Sequence, residues 1–166
     1  MRPAPDMGHR EALRWVAGEI KPRSYLEVGV REGHSLAAVL RASDPERLVL
    51  CDTWGNRHGG TGRGNHDHIE RLLDVLGFTG EVEWHDTVSS MMWASMPGAC
   101  DLVHIDGDHS YEGALFDIRK GWMATGRAMV VHDVVASEPV SRAAKDLGYE
   151  PAHVFTGDAG TGVWIK

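Results

Sequence analysis

Two acids and a histidine follow an apolar run in the stretch "DLVHIDGDHSYEGALFDIRKGW", residues 101–122. Asp106, Asp108 and His109 come directly after the run, and no lysine or arginine appears before Arg119. A turn needs only glycine and a small polar residue, so this charge exceeds what a turn requires. Carboxylates can bind a cation, and an imidazole can take up a proton near neutral pH. We predict a functional site here, with Asp108 capping the following helix.

Acids recur at the ends of the other apolar runs. Asp52, Asp86, Asp106 and Asp133 each follow a run, and Glu27 lies inside the first one. In an open parallel sheet these ends form one edge, where ligands bind. Two unit charges about 4 Å apart repel by about 4 kcal/mol at an effective dielectric constant near 20, so cations or hydroxyl donors are expected there. Helix capping is the alternative for any single acid. Together they favour a ligand with a ribose, an adenine and a positive charge.

The elements that must position these acids alternate between strand and helix patterns. Strands are predicted at 25–30, 48–51, 82–84, 102–105 and 128–131, with a hairpin at 153–155 and 163–165. Helical spacing of apolar residues is found at 10–20, 36–40, 69–76, 88–94, 111–122 and 140–147. This order predicts an α/β fold: a Rossmann-like, seven-stranded, mostly parallel sheet with an antiparallel C-terminal hairpin and helices on both faces. We expect one domain over 1–166, with an N-terminal helix segment over 1–23 and a core over 24–166.

Composition limits the classes of partner. The formal net charge of -7 over 166 residues argues against nucleic acid. No apolar run approaches the roughly 20 residues that span a bilayer, and the first residues lack a secretory signal, so we expect a cytoplasmic protein. The two cysteines, Cys51 and Cys100, adjoin predicted strands and are expected to be buried thiols.

The end of the first predicted strand has a glycine pattern. In "YLEVGVREGHSL", Gly29 and Gly33 lie at a strand-to-helix turn, where a ligand can approach the backbone and free amide groups. The spacing differs from the G-x-G-x-x-G dinucleotide fingerprint. Asp52 is placed to accept ribose hydroxyls, a feature that nicotinamide-binding folds share. Glu27 and Asp106 would repel a pyrophosphate but suit a sulfonium and an amino group.

Five segments carry a family resemblance: "LEVGVREGHSL", "LCDTW", "HIDGDHSYEGALFDI", "VVHDV" and "GTGVWIK". With them the chain resembles the class I S-adenosylmethionine-dependent methyltransferases, and more narrowly the small-molecule O-methyltransferases grouped with the macrocin and mycinamicin sugar methyltransferases. The resemblance implies S-adenosyl-L-methionine as cofactor. It also implies a set of cofactor-binding residues: Glu27, Gly29, Gly33 and Ser35 at the methionine part, Asp52 and Trp54 at the ribose, Asp86 and Thr87 at the adenine, and Asp106.

The same resemblance implies a metal site and a base. In the sugar methyltransferases acids after the fourth and fifth strands bind magnesium, and a histidine three residues beyond the first ligand is the base. Those positions fall on Asp106, His132 and Asp133 for the metal and on His109 for the base. His132 stands where the relatives carry a carboxylate. A histidine suits manganese, iron or zinc better than magnesium. A different metal such as Mn, Mg bound weakly through Asp106 and Asp133, and no metal all stay open.

These observations predict an S-adenosylmethionine-dependent O-methyltransferase that acts on a hydroxyl of a small molecule, such as a sugar or a polyketide. His109 and Asp106 are the predicted catalytic residues, and metal assistance stays open. Two alternatives also stay open: a nicotinamide-dependent oxidoreductase on the same fold, and a catalytically silent cofactor-binding domain. A glycine-rich loop over 54–65 or a second subunit in a homodimer would complete the substrate pocket.

Overall fold

The computed structural model describes residues 4–55, 64–95 and 98–166. Most of the predicted loop over 54–65, namely residues 56–63, lies outside the described residues. The strands are β1 (Ser24–Val28), β2 (Arg47–Cys51), β3 (Glu81–His85), β4 (Cys100–Ile105), β5 (Thr125–His132), β6 (His153–Phe155) and β7 (Thr161–Ile165). The helices are α1 (His9–Ile20), α2 (His34–Leu40), α3 (His66–Leu76), α4 (Ser89–Ser95), α5 (Tyr111–Ala124) and α6 (Glu138–Lys145).

The seven strands form one sheet in the order β3-β2-β1-β4-β5-β7-β6. Strands β1 to β5 pair in parallel, whereas β7 runs antiparallel to both β5 and β6. The predicted fold, including the antiparallel C-terminal hairpin, is confirmed. Because β1 lies between β2 and β4, the chain order reverses there, and ligands of open α/β sheets bind at such a reversal.

Alternate residues of each strand pack on opposite faces of the sheet. Tyr25 of β1 belongs to a core shared with α1, α2 and α3, whereas its neighbour Leu26 belongs to a core shared with α4, α5 and α6. Successive side chains of a β-strand point to opposite faces of the sheet, and this alternation produces the two cores. Helices therefore cover both faces, as predicted, and the strand ends are left as the open edge.

The first strand ends earlier than the sequence predicts. β1 stops at Val28 instead of at residue 30, because Gly29 adopts a φ of 90° that leaves the strand conformation. Cys51 and Cys100 are buried free thiols, as expected. Among the described residues, no helix is both long enough and apolar enough to cross a membrane.

Candidate active site

The turn after β1 lies directly against the end of β4. The backbone N–H of Asp106 donates to the carbonyl oxygen of Val28 at 2.9 Å. A side chain at Gly29 would overlap the carbonyl oxygen of Asp106, and the φ of 90° is itself unfavourable for any other residue. Glycine at this position therefore allows the two strand ends to meet.

A cavity of about 440 Å³ opens beside this contact, at the carboxyl ends of β1, β2 and β4. Five of the predicted catalytic and cofactor-binding residues line it: Gly29, Asp52, Thr87, Asp106 and His109. The wall is completed by a mixture of polar, charged and aromatic side chains, among them Arg31, Thr53, Ser89, Ser90, Glu112 and Phe116. The cavity thus joins predicted cofactor-binding residues to the predicted base.

Asp52 connects the loops that follow β1 and β2. Its Oδ2 accepts the backbone N–H of Arg31 at 2.8 Å, and its Oδ1 accepts the backbone N–H of Trp54 at 2.7 Å. Arg31 and Trp54 have φ values of 51° and 53°, in the left-handed region that non-glycine residues rarely adopt. Strained backbone of this kind persists where the surroundings hold it in place. Asp52 both lines the cavity and stabilises the backbone around it.

Trp54 and Asp86 lie next to each other, outside the lining of the cavity. Asp86 accepts from the indole Nε1 of Trp54 at 2.7 Å, and its second oxygen lies 3.0 Å from Nδ1 of His66. Partial burial alone would raise the pKa of Asp86, but the hydrogen bonds from His66 and Trp54 lower it below its usual value. These contacts engage both oxygens of the carboxylate that the resemblance assigned to the adenine.

Glu27 lies inside the protein and not in the cavity wall. It is fully buried on the α1 face of the sheet, where its Oε1 accepts from the Ser35 hydroxyl and lies 3.3 Å from Nδ1 of His104. Ser35 instead lines a second cavity of about 450 Å³, which shares Gly29, Arg31 and Asp106 with the first. Gly33, the N-cap of α2 with a φ of 74°, lines neither of these two cavities.

Two histidines face two carboxylates at the ends of β4 and β5. Nε2 of His109 lies 3.1 Å from Oδ2 of Asp133 and 3.5 Å from Oδ1 of Asp106. Nδ1 of His132 lies 3.2 Å from the same Asp106 oxygen and 3.7 Å from Asp133. The predicted base and the three predicted metal ligands therefore form one cluster. Asp133 has a φ of 62°, a further strained residue at this edge.

The charges in this cluster shift one another's protonation. Burial alone would raise the pKa of Asp106, but the hydrogen bonds from His109 and His132 hold it well below its usual range. The interaction with Asp106 raises the pKa of His109, and Asp133 adds to this effect. The carboxylates therefore stabilise a protonated His109 imidazole.

Asp108 does not cap α5 directly, contrary to the prediction. The N-cap is Ser110, whose hydroxyl accepts the backbone N–H of Gly113 at 3.1 Å. Asp108 accepts the backbone N–H of Ser110 at 2.8 Å and so supports the cap from the preceding turn.

Two histidines near this edge, His9 and His104, were not predicted from the sequence. His104 is fully buried in β4, and His9, the first residue of α1, is nearly so. The signal for His104 was present, because it lies two positions before Asp106 and residues two apart in a strand share a face. His9 gave no comparable signal, because its neighbours come from distant parts of the chain.

Comparison with known proteins agrees with this geometry. The profile of a family described as a methyltransferase domain matches residues 26–134, which cover most of β1, all of β2 to β5 and the turns that build the site. The chain belongs to the methyltransferase domain family. A search of curated proteins gave no significant match.

Solved structures share the fold of this methyltransferase domain. The O-methyltransferase TomG from Streptomyces achromogenes, solved with S-adenosylmethionine, is 17% identical with a TM-score of 0.69, covering 100% of this chain and 82% of TomG. Cofactor-bound Rv0187 from MTB is 20% identical with a TM-score of 0.72, covering 97% and 81%. An O-methyltransferase from Bacillus cereus in complex with SAH is 14% identical with a TM-score of 0.62, covering 99% and 84%. At these identities the likeness establishes the fold alone.

Proposed function

We propose that this methyltransferase transfers a methyl group from S-adenosylmethionine to a hydroxyl oxygen of a small molecule. One observation carries the proposal: a single cavity is lined by Gly29, Asp52, Thr87 and Asp106, which suit the cofactor, and by His109, which suits the acceptor. TomG and the Bacillus cereus O-methyltransferase, which share this fold, were solved with S-adenosylmethionine and SAH respectively, which supports the choice of cofactor.

The residues of the cavity fit the parts of this cofactor. Gly29 leaves the turn after β1 open for close approach of a ligand. Asp52 retains lone pairs for ribose hydroxyls while it accepts two backbone N–H groups, because each carboxylate oxygen can accept more than one hydrogen bond. Asp106 lines both cavities, so an elongated ligand could extend from Thr87 past Asp106 to Ser35. Once bound, S-adenosylmethionine supplies an electrophilic methyl group on a positively charged sulfur.

His109 is suited to activate the acceptor. Its side chain is 44% exposed, so a substrate can reach the ring, and it lines the cavity. A neutral imidazole would accept the hydroxyl proton as the oxygen attacks, and Asp133 and Asp106 would stabilise the imidazolium that forms. Positioning the acceptor oxygen in line with the methyl group does much of the remaining work.

The cavity volume supports a small-molecule site that the cofactor shares with its acceptor. At about 440 Å³ the cavity falls within the range of about 300 to 1,000 Å³ that is typical of small-molecule sites. Phe116 offers an apolar contact, and Ser89, Ser90 and Glu112 offer hydrogen bonds. This mixture suits a hydroxylated sugar or polyketide, the substrate class that the resemblance to the macrocin and mycinamicin enzymes implies.

Magnesium assistance through Asp106, His132 and Asp133 fits these residues poorly. Magnesium prefers six oxygen ligands, whereas two imidazoles already face the two carboxylates. A metal ion between Asp106 and Asp133 would also compete with the contacts that orient His109. The proposed reaction therefore needs no metal ion between Asp106 and Asp133, and the dependence of turnover on added Mn²⁺ and Mg²⁺ tests this.

Isothermal calorimetry with S-adenosylhomocysteine tests the cofactor assignment. We expect binding by the unmodified protein, a loss of at least tenfold in affinity for Asp52→Ala, and no change for Asp74→Ala, an exposed acid on α3. NADH binding without a response to S-adenosylhomocysteine would support the oxidoreductase alternative and overturn the proposal. Transfer of a radiolabelled methyl group to a panel of hydroxylated sugars and polyketides then tests the reaction. Cofactor binding without transfer would favour the catalytically silent domain.

A further inference from the structure

Three histidines gather on the α1 side of the sheet, beneath the second cavity. His9 begins α1, His104 lies in β4 and His132 ends β5. The ring of His9 stacks on that of His132 with centroids 3.9 Å apart, and it lies 4.8 Å from the ring of His104. His9 is 7% exposed and His104 is completely buried. Three distant segments of the chain thus place imidazoles at one buried point.

Buried polar atoms in this cluster have no hydrogen-bond partner among the described residues. They are Nε2 of His9, His104 and His132 and Oε2 of Glu27. An unpaired buried polar group costs about 1 to 3 kcal/mol, so native proteins almost always pair such groups. Several unpaired atoms in one place indicate that a ligand belongs there.

In His9 and His104 the other ring nitrogen, Nδ1, contacts neighbouring oxygen atoms. Nδ1 of His9 lies 3.1 Å from the hydroxyl of Thr161. Nδ1 of His104 lies 3.3 Å from both Oε1 of Glu27 and the hydroxyl of Tyr25. Metal-binding histidines characteristically donate the second ring N–H to a carboxylate or another oxygen, which fixes the ring and leaves Nε2 for the metal.

We propose that His9, His104 and Asp106 bind one divalent transition-metal ion such as Zn²⁺. Donor atoms of these three residues lie within 4.8 Å of one another, so small side-chain rotations would bring them onto one ion. Two imidazoles and a carboxylate form a donor set typical of Zn²⁺ and of other first-row metals, and an unsuitable one for Mg²⁺. The ion would join the start of α1 to β4. This site shares only Asp106 with the metal set predicted from the sequence.

The second cavity gives the ion a route and a place for a further ligand. His9, Asp106 and His132 line this cavity of about 450 Å³. An ion at its floor could take water as a fourth ligand, and the unpaired Nε2 of His132 lies in the same cluster.

Zinc binding can be measured directly on the whole chain after treatment with EDTA. We expect calorimetry to give one equivalent of Zn²⁺ per chain, thermal unfolding to move to higher temperature with Zn²⁺, and Co²⁺ to give the visible absorption of a bound ion. His9→Gln should weaken Zn²⁺ binding by about a hundredfold. His68→Gln, an exposed histidine on α3, is the matched control and should bind like the unmodified protein. Asp133→Asn should also retain binding.

A second variant, Glu27→Gln, tests the contribution of the buried His104. Because His104→Gln could prevent folding, Glu27→Gln tests the same ring through its neighbour, with an expected loss of about tenfold in affinity. Circular dichroism establishes that each variant is folded. Two results would each overturn the site: no stoichiometric Zn²⁺ binding, or binding unchanged in folded His9→Gln, whether or not Asp133→Asn loses it. None of these measurements requires cofactor or substrate, so their failure is separate from failure of the proposed methyl transfer.

Discussion

Nε2 of His109 lies 3.1 Å from Oδ2 of Asp133, although the two residues follow different strands, β4 and β5. This pairing orients an exposed imidazole at the edge of the cavity. The same nitrogen lies 3.5 Å from Asp106, so two carboxylates face one ring. The arrangement suits a group that gains a proton during a reaction.

Replacing His109 by Asn should therefore lower turnover more than it affects cofactor binding. Loss of a general base typically slows a reaction by about 10²- to 10⁴-fold, whereas His109 has no predicted contact with the cofactor. Steady-state kinetics with saturating S-adenosylmethionine and calorimetry with S-adenosylhomocysteine give the two quantities. Turnover close to that of the unmodified protein would remove His109 from the mechanism.

The contacts of Asp86 predict a measurable effect on His66. The hydrogen bond from His66 to Asp86 is the main cause of the raised pKa of His66, so Asp86→Asn should lower that pKa. An NMR titration of the histidine ring protons gives the value. An unchanged titration would contradict the pairing, and His68 provides an internal reference on the same helix.

The same variant separates Asp86 from Asp52 in cofactor binding. Because Asp52 lines the cavity and Asp86 does not, Asp86→Asn should weaken S-adenosylhomocysteine binding less than Asp52→Asn does. Equal losses in calorimetry would instead support the adenine position that the resemblance assigned to Asp86.

The placement of these acids shows how far the sequence could predict the site. Asp52 and Asp106 follow parallel strands, so their meeting at one edge follows from the sheet alone. Glu27 lies within a strand on the same face as Tyr25, and its burial beneath α1 follows from the period of two. Glu27 lines neither of the two cavities, so its place among the cofactor contacts stays a prediction.

Other features depend on contacts that no local pattern encodes. His9 reaches His132 only because α1 packs across the end of β5, and the pairing of His66 with Asp86 requires α3 to lie beside β3. The early end of β1 also depends on such a contact. The two glycines were recognised as a turn, but the extent of the preceding strand was set by the contact of Gly29 with Asp106.

Gly29→Ala should destabilise the protein and abolish cofactor binding. The new side chain would overlap the Asp106 backbone, and the φ of 90° is strained for alanine, so we expect a loss of about 3 kcal/mol or more in the free energy of unfolding. Gly18→Ala is the matched control, because that position lies within α1 and has open space around it. At that position the higher helix propensity of alanine should increase the free energy of unfolding by as much as about 1 kcal/mol. Equal effects of the two substitutions in urea denaturation would refute the packing argument.

Asp117 gives the fold a pH dependence that can be isolated. Asp117 is 1% exposed in α5, where its Oδ1 accepts from Nε1 of Trp93 at 3.0 Å and its Oδ2 has no hydrogen-bond partner among the described residues. Burial raises the pKa of Asp117 from 3.8 to about 6. The folded protein therefore holds this proton more tightly than the unfolded chain does. The protonated Asp117 carboxyl therefore contributes fully to the free energy of unfolding below about pH 3.8, and this contribution is lost as the pH rises to about 6.

Asp117→Asn should remove this loss, because the amide keeps an acceptor for Trp93 and carries no charge. Between pH 4 and pH 7 the free energy of unfolding of the variant should rise relative to that of the unmodified protein by about 2 to 3 kcal/mol, as the pKa shift implies. Urea denaturation at several pH values measures the difference, and Asp74→Asn on the exposed face of α3 controls for the loss of one charge. A constant difference between Asp117→Asn and the unmodified protein across this range would mean that Asp117 is ionised in the folded state throughout, and that its burial does not hold the proton.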